Sequence, residues 1–189
     1  MNNLIEILKE KGAILEGHFL LTSGRHSDKY IEKFRIIEDP ELLDLVSKNM
    51  VKLFSKKEID IVLSAAIGGI LLCGAVGRAI NKKHIFTERI DGEMVLRRGF
   101  HLPDESNVLI VEDIVTTGGS IFEIIKVAEE SNANIIGIGS IIDRNESLID
   151  FGYDYKPLLQ YPVKSWDDEL VPDWLQDIPI TKPGRSGKK

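Results

Sequence analysis

One cysteine, Cys73, is all that the 189 residues contain. A lone thiol closes no intrachain disulfide and completes no cysteine-based zinc site, so the expected compartment is the reducing cytoplasm. No basic, apolar and small-residue succession opens the chain, and a secretory leader is not expected. Long hydrophobic runs are missing too. The stretch from Ile61 to Gly77 carries no charge, yet it is shorter than the ~20 residues that cross a bilayer and is interrupted by Gly68, Gly69, Gly74 and Gly77. It reads as a buried strand, a glycine turn and a packed helix, with no membrane contact. Positive charge is in deficit: 24 Lys and Arg against 30 Asp and Glu leave a net charge of −6. That balance, without a dense basic stripe, argues against nucleic acid as a partner, so a polyanionic ligand must be held by a local site or a metal ion. Neither a Gly-Lys-Ser/Thr loop nor a G-x-G-x-x-G turn is present, which removes P-loop and dinucleotide readings. What remains is a globular composition, 43% hydrophobic and 29% charged, in a chain of one ordinary domain's length.

Apolar spacing organises that chain. Leu4, Ile5 and Leu8 predict a short amphipathic helix stopped at Gly12, and Thr22 to Ser27 form a polar hinge between two apolar stretches. Asp39-Pro40 supplies an N-cap and first-turn proline to a helix carrying Leu42, Leu43, Val46 and Met50 and ending near Ser55. Strands then alternate with helices: Ile59 to Leu63, Gly69 to Asn81, His84 to Thr87, Val108 to Val111, Ser120 to Ser131, Ile135 to Ile142. This alternation predicts an α/β fold with a mainly parallel sheet. Arg89 to Phe100, rich in charge and glycine, reads equally as a mobile loop or an exposed hairpin. Beyond Phe151 five prolines argue against a long helix, and Gly184 to Lys189 reads as a frayed tail.

The chemistry concentrates at one junction. A buried strand from Val108 to Val111 runs into Glu112-Asp113, and Ile114-Val115 lead to Thr116-Thr117-Gly118-Gly119-Ser120 and an apolar helix. Ligands of parallel α/β sheets bind at the carboxyl ends of strands. The unpaired N–H groups and dipole of a helix start favour an anion there, and glycines allow it to approach. Ionised carboxylates accept hydrogen bonds from a diol. Phosphate at one end and a diol at the other describe a ribose 5-phosphate; the alternative is a solvated acidic turn followed by a plain helix cap. Ser64-Ala65-Ala66-Ile67-Gly68-Gly69 repeats the strand-glycine-helix pattern, as a second anion cradle with Ala66, Gly68 and Gly69 at its heart or as a turn for helix packing. Arg89, Arg97 and Arg98 are either cations for a leaving group or a solvated face. Arg144, after the last strand, is suited to bidentate binding of a carboxylate or to an ion pair with Asp143 or Glu146. The four histidines show no metal-ligand spacing.

Val108 to Ser120 resembles the phosphoribosyl-diphosphate motif of type I phosphoribosyltransferases. Gly12 to Phe19, Thr22 to Asp28, Ile142-Asp143-Arg144 and Ile178 to Gly184 are similar to the orotate branch of that family, so the resemblance spans nearly the whole chain. It implies a type I phosphoribosyltransferase-like parallel sheet flanked by helices, in one domain over residues 1–189. A small hood over the base site would come from the N-terminal ~35 residues and the C-terminal segment. It implies transfer of phosphoribosyl from its diphosphate to orotate, in pyrimidine synthesis, with Mg2+ carried by the diphosphate and no metal held directly by protein. A homodimer is expected by the same analogy. Glu112, Asp113 and Arg89 are expected as catalytic residues. The sugar diphosphate is expected on these three with Ile114 to Ser120, Ala66, Gly68 and Gly69. Orotate is expected on Arg144, Thr116, Arg25 and Ser27. The segment from Thr87 to Gly99 departs from the family in having no lysine and no histidine. An arginine there can act as a fixed charge but not as a general acid at neutral pH. Two other functions suit the same ribose site: transfer to a purine or another pyrimidine, and a non-catalytic sensor of phosphoribosyl diphosphate.

Overall fold

The computed structural model describes residues 2–183; the tail from Gly184 to Lys189 lies outside them. The chain divides into two compact units, Met1–Ile36 with Pro162–Lys189 and Ile37–Tyr161, each taken as far as the described residues go.

The smaller unit opens with α1 (Asn2–Glu10), which seats Leu8 in the interior. An antiparallel hairpin, β1 (Ile14–Leu20) and β2 (His26–Ile31), turns through the polar hinge. His26 and Trp166 exchange two backbone hydrogen bonds of 2.8 Å, and β9 (Ile180–Thr181) lies parallel to β1, so the C-terminal segment completes this unit. Trp166 and Trp174 meet edge to face.

A six-stranded sheet forms the larger unit. Its strands are β3 (Ile61–Ala65), β4 (Lys83–Ile90), β5 (Glu93–Leu96), β6 (Asn107–Val115), β7 (Asn134–Asp143) and β8 (Tyr155–Gln160), in the order β5-β4-β3-β6-β7-β8. All pairings are parallel except that of β5 with β4. The helix α3 (Pro40–Leu53) begins as its residues dictate: the Asp39 carboxylate accepts from the N–H groups of Glu41 and Leu42. It packs with α4 (Gly69–Ile80) on one sheet face, where Met50 and Phe54 press on Gly139. On the other face α5 (Gly119–Glu130) sets Ile121, Ile124 and Ile125 against Ile61, Leu63, Val108 and Ile110.

One open choice is settled and two expectations change. The segment after Arg89 is a hairpin, closed by Asp91 and Gly92, both at positive φ, as a two-residue turn between right-twisted strands requires. The strand expected to stop at Val111 continues to Val115, because Glu112 and Val115 pair with Ser140 and Asp143 of β7; the carboxylates lie inside the strand. The proline-rich region holds β8, unforeseen in the sequence, whose Pro157 is tolerated on the sheet edge where no partner needs its N–H.

From β3 the chain crosses through α4 to β4 on one side, and from β6 through α5 to β7 on the other. The reversal between β3 and β6 leaves a crevice at their carboxyl ends, the place where open α/β sheets bind ligands.

Candidate active site

Glu112 and Thr116 to Ser120 line a cavity of about 60 Å3 at the start of α5, together with Ile114, Val115 and Ile121. Gly118 is the hinge of this loop. Its φ of 75° is left-handed, and a Cβ there would stand 2.7 Å from a ring carbon of Phe151. Only glycine lets the loop turn and lie on the Phe151 ring. Glu112 and Asp113 are buried, at 8% and 3% exposure. Glu112 lines the loop cavity, and Asp113, the next residue of the strand, does not. Local N–H groups orient both: Glu112 Oε1 accepts from the Asp113 amide at 3.0 Å and Asp113 Oδ1 from the Ile114 amide at 2.6 Å.

The second glycine turn follows the neighbouring strand. Ala66 donates its N–H to the Thr87 carbonyl at 2.8 Å, a cis peptide joins Ala66 to Ile67, and α4 starts at Gly69. A Cβ on Gly69 would meet Ser64 Cβ at 2.9 Å, so glycine brings the helix start against the strand end. Thus Ala66, Gly68 and Gly69 stand at the end of β3, next to the strand bearing Glu112 and Asp113.

The hairpin arginines are less free than their sequence suggests. Arg89 forms a two-armed ion pair with Glu123 of α5 and also donates to the Gly92 carbonyl at 3.0 Å. The Glu123 carboxylate pushes the guanidinium further toward its charged form. Arg98 is held by Glu88 through two bonds of 2.9 Å.

Arg144 leaves the end of β7 beside the loop that begins at Thr116, with its N–H on the Val115 carbonyl at 3.0 Å. Its neighbour Asp143 is fully buried and accepts from the Tyr155 hydroxyl at 2.8 Å, which also meets Ser140 Oγ at 2.8 Å. Burial, with Asp143 and Glu112 nearby, raises the Tyr155 pKa and keeps the phenol protonated.

In the smaller unit, Arg25 and Ser27 are committed to the C-terminal segment. Arg25 donates to Ser165 Oγ, the Ser165 carbonyl and Asp167, at 2.9, 2.8 and 2.6 Å, and Ser27 Oγ to the Lys164 carbonyl at 2.7 Å. The same unit holds a feature that sequence reasoning missed. His18 Nε2 lies 2.6 Å from His26 Nδ1, His26 Nε2 lies 3.1 Å from Asp168, and His18 Nδ1 lies 3.1 Å from the Ile178 carbonyl. Eight residues separate the two histidines, and only the hairpin brings them together. Among the described residues no three or more of His, Cys, Asp and Glu are gathered as a metal site.

A parallel sheet with an acidic strand end, two glycine-opened helices at its switch point and a phosphate-sized loop cavity is the architecture of a phosphoribosyltransferase. Residues 35–170 match the family model described as the phosphoribosyl transferase domain, and the chain belongs to that family. Among curated proteins it is 42% identical to the orotate phosphoribosyltransferase of Thermotoga maritima, over 97% of this chain and 98% of that one. It is also 42% identical to that of Thermoanaerobacter sp., over 96% and 95%. The crystal structure of orotate phosphoribosyltransferase from Aeropyrum pernix has the same fold, with a TM-score of 0.69 at 24% identity over 83% of this chain and 93% of that one.

Proposed function

We propose that this protein transfers the 5-phosphoribosyl group of phosphoribosyl diphosphate to orotate, giving orotidine 5′-monophosphate and pyrophosphate in pyrimidine synthesis. The observation that carries the reading is the small cavity shared by Glu112 and the loop from Thr116 to Ser120 at the sheet's switch point. The near-full-length relatives named for orotate support the choice of base.

The residues divide the work by chemistry. Amides and hydroxyls from Thr116 to Ser120, at the positive end of α5, receive the 5′-phosphate, with Ile114 and Val115 as the floor. Glu112 and Asp113 accept from the ribose hydroxyls and stabilise positive charge that grows on the ring as the C1–O bond lengthens. The turn with Ala66, Gly68 and Gly69 offers backbone amides to the pyrophosphate. N1 of orotate gives up its proton and forms the new bond to C1; the electron pair of the broken C1–O bond leaves on pyrophosphate oxygen, and the released pyrophosphate takes up the N1 proton. Arg144 reads the orotate carboxylate, with Thr116 beside it. Arg89 is the cation assigned to the departing pyrophosphate, its pair with Glu123 exchanging for the product's charge. The resemblance also assigns Arg25 and Ser27 to orotate; within the smaller unit three of the five guanidinium donors of Arg25 go to Ser165 and Asp167.

Mg2+ would be carried by the sugar diphosphate, since it keeps several waters and binds substrate phosphates, and no residue of the protein is assigned to hold it directly. When bound with the sugar diphosphate it neutralises charge on the pyrophosphate oxygens. The single-domain organisation, with a hood from the N-terminal ~35 residues and the C-terminal segment, belongs to the proposal; those two segments form a compact unit of their own. A cytoplasmic homodimer completes it. An open apolar groove of about 560 Å3, lined by Leu43, Ile70, Leu71 and Phe100 in the larger unit, supports the dimer.

The test is direct. Purified protein with Mg2+, phosphoribosyl diphosphate and a panel of bases is expected to form orotidylate in preference to other nucleotides. Arg144→Ala should lose most of its orotate preference in competition, by about 10²-fold in kcat/KM, because the carboxylate then has no bidentate partner. A variant as selective as the parent overturns the assignment of Arg144. A parent that turns over adenine or uracil better than orotate overturns the reading itself.

A further inference from the structure

We infer that Asn145 is a positioning residue for the phosphate loop: it fixes the Thr116–Thr117 peptide so that its N–H serves the substrate phosphate. The inference deepens the reading above and rests on it for the identity of the ligand.

The Asn145 amide nitrogen has two donors, and both are spent. One goes to the Thr116 carbonyl at 2.8 Å, the other to Asp143 Oδ1 at 2.8 Å. The same Asp143 oxygen accepts the Asn145 backbone N–H at 2.8 Å, while its second oxygen holds the Tyr155 hydroxyl. The Asn145 carbonyl is itself held by Gln160 Nε2 at 3.1 Å, which also reaches the Glu146 carbonyl at 3.0 Å. The side chain therefore sits in one orientation, set by the fully buried Asp143 carboxylate, while Gln160 holds only the backbone.

Its effect on the loop follows from peptide geometry. Across a planar trans peptide the carbonyl and the following N–H point in opposite directions. Asn145, outside the cavity, draws the Thr116 carbonyl toward itself, and the N–H of Thr117 consequently faces away from Asn145. Thr116 and Thr117 line the cavity, whereas Asn145 does not. Without this bond an exposed stretch rich in hydroxyls and glycine is free to flip that peptide and present a carbonyl to an anion. The neighbouring Arg144 N–H to Val115 bond cannot prevent this, because it ends one residue earlier.

Asn145→Ala removes the donor without adding charge, and Asn145→Asp removes it at nearly constant volume. Gln160→Ala is the control: it loosens the same segment but leaves the Thr116 bond in place. Both Asn145 variants are expected to raise the KM for phosphoribosyl diphosphate about tenfold with kcat within about twofold, the pattern of lost binding common to ground and transition states. Gln160→Ala should lower thermal stability as much as Asn145→Ala while leaving that KM unchanged. Calorimetric titration with ribose 5-phosphate should show the same tenfold loss for Asn145→Ala. A KM and a ribose 5-phosphate affinity within twofold of the parent, or an equal KM change in Gln160→Ala, overturns the inference. The titration involves no base, so it judges Asn145 separately from the orotate assignment, which fails only if the parent makes no orotidylate. If Asn145→Asp does not fold, Asn145→Ala decides the question alone.

Discussion

Cys73 shows how burial alters a residue's chemistry. Its thiol lies 3.3 Å from the carbonyls of Val62 and Ile85, and burial pushes its pKa from the ordinary 9.0 to about 12. The folded state therefore favours the protonated form. The associated stabilisation is complete below pH 9 and is lost as the pH rises from 9 through about 12, where the unfolded chain holds fewer protons. A thiol-specific reagent at pH 8 is expected to leave Cys73 unmodified until denaturant is added; stoichiometric labelling of folded protein would show that the thiol is accessible. Arg89 poses a sharper question at the same scale. As an exposed, solvent-screened ion pair with Glu123 it contributes little to stability. As the cation for pyrophosphate it is worth far more to turnover. Arg89→Ala should leave the melting temperature nearly unchanged and lower kcat by about 10²-fold; a kcat within threefold of the parent would turn attention to Arg97. The acidic pair and the loop hydroxyls were legible because each residue type announces its chemistry. The contact of His18 with His26, and the commitment of Arg25 to Ser165 and Asp167, were not, because they depend on strand register and on a segment some 140 residues away.

Elements repeat this division. The helix after Asp39-Pro40 and the strand-turn-helix around Gly118 follow from local rules, capping in one case and a left-handed turn in the other. The hairpin after Arg89 had its signal in Asp91-Gly92, the dipeptide that best fits a two-residue turn, although the surrounding charge obscured it. The strand β8 had almost none. Its proline lowers strand propensity, and its place on the sheet edge, which removes the objection, exists only after folding. Gly118 joins local and tertiary causes in one position. Gly118→Ala must hold a side chain at a left-handed φ and displace Phe151 or Ile149 from contacts of 2.7 to 3.1 Å. It is expected to cost about 2 kcal/mol by urea denaturation and to weaken binding of phosphoribosyl diphosphate. A loss under 0.5 kcal/mol would mean that the ring simply moves aside.

For the molecule as a whole, a net charge of −6 sets a diffuse field that repels anionic substrates. Two phosphate-bearing ends must therefore be captured by short-range donors at loop and helix starts. Among the described residues no helix is long and apolar enough to cross a membrane, and the uncharged run from Ile61 resolves into β3, a glycine turn and α4. Leu71 on that helix remains 54% exposed beside the apolar groove. Light scattering at assay concentration is expected to report a dimer, and Leu71→Glu to shift it toward monomer. A monomeric parent would remove the dimer from the proposal.

By itself the sequence determined the chemistry available: which strand ends in acids, which turns admit an anion, where a guanidinium follows a strand. Those features depend on neighbours in the chain, and short-range stereochemistry dictates them. Tertiary structure alone decided which groups remain available to a substrate. Arg89 acquired Glu123, Arg25 acquired Ser165 and Asp167, and Asn145 acquired Thr116. Each partner is 29 or more residues distant, and the pairings are set by packing and register, which no local pattern encodes.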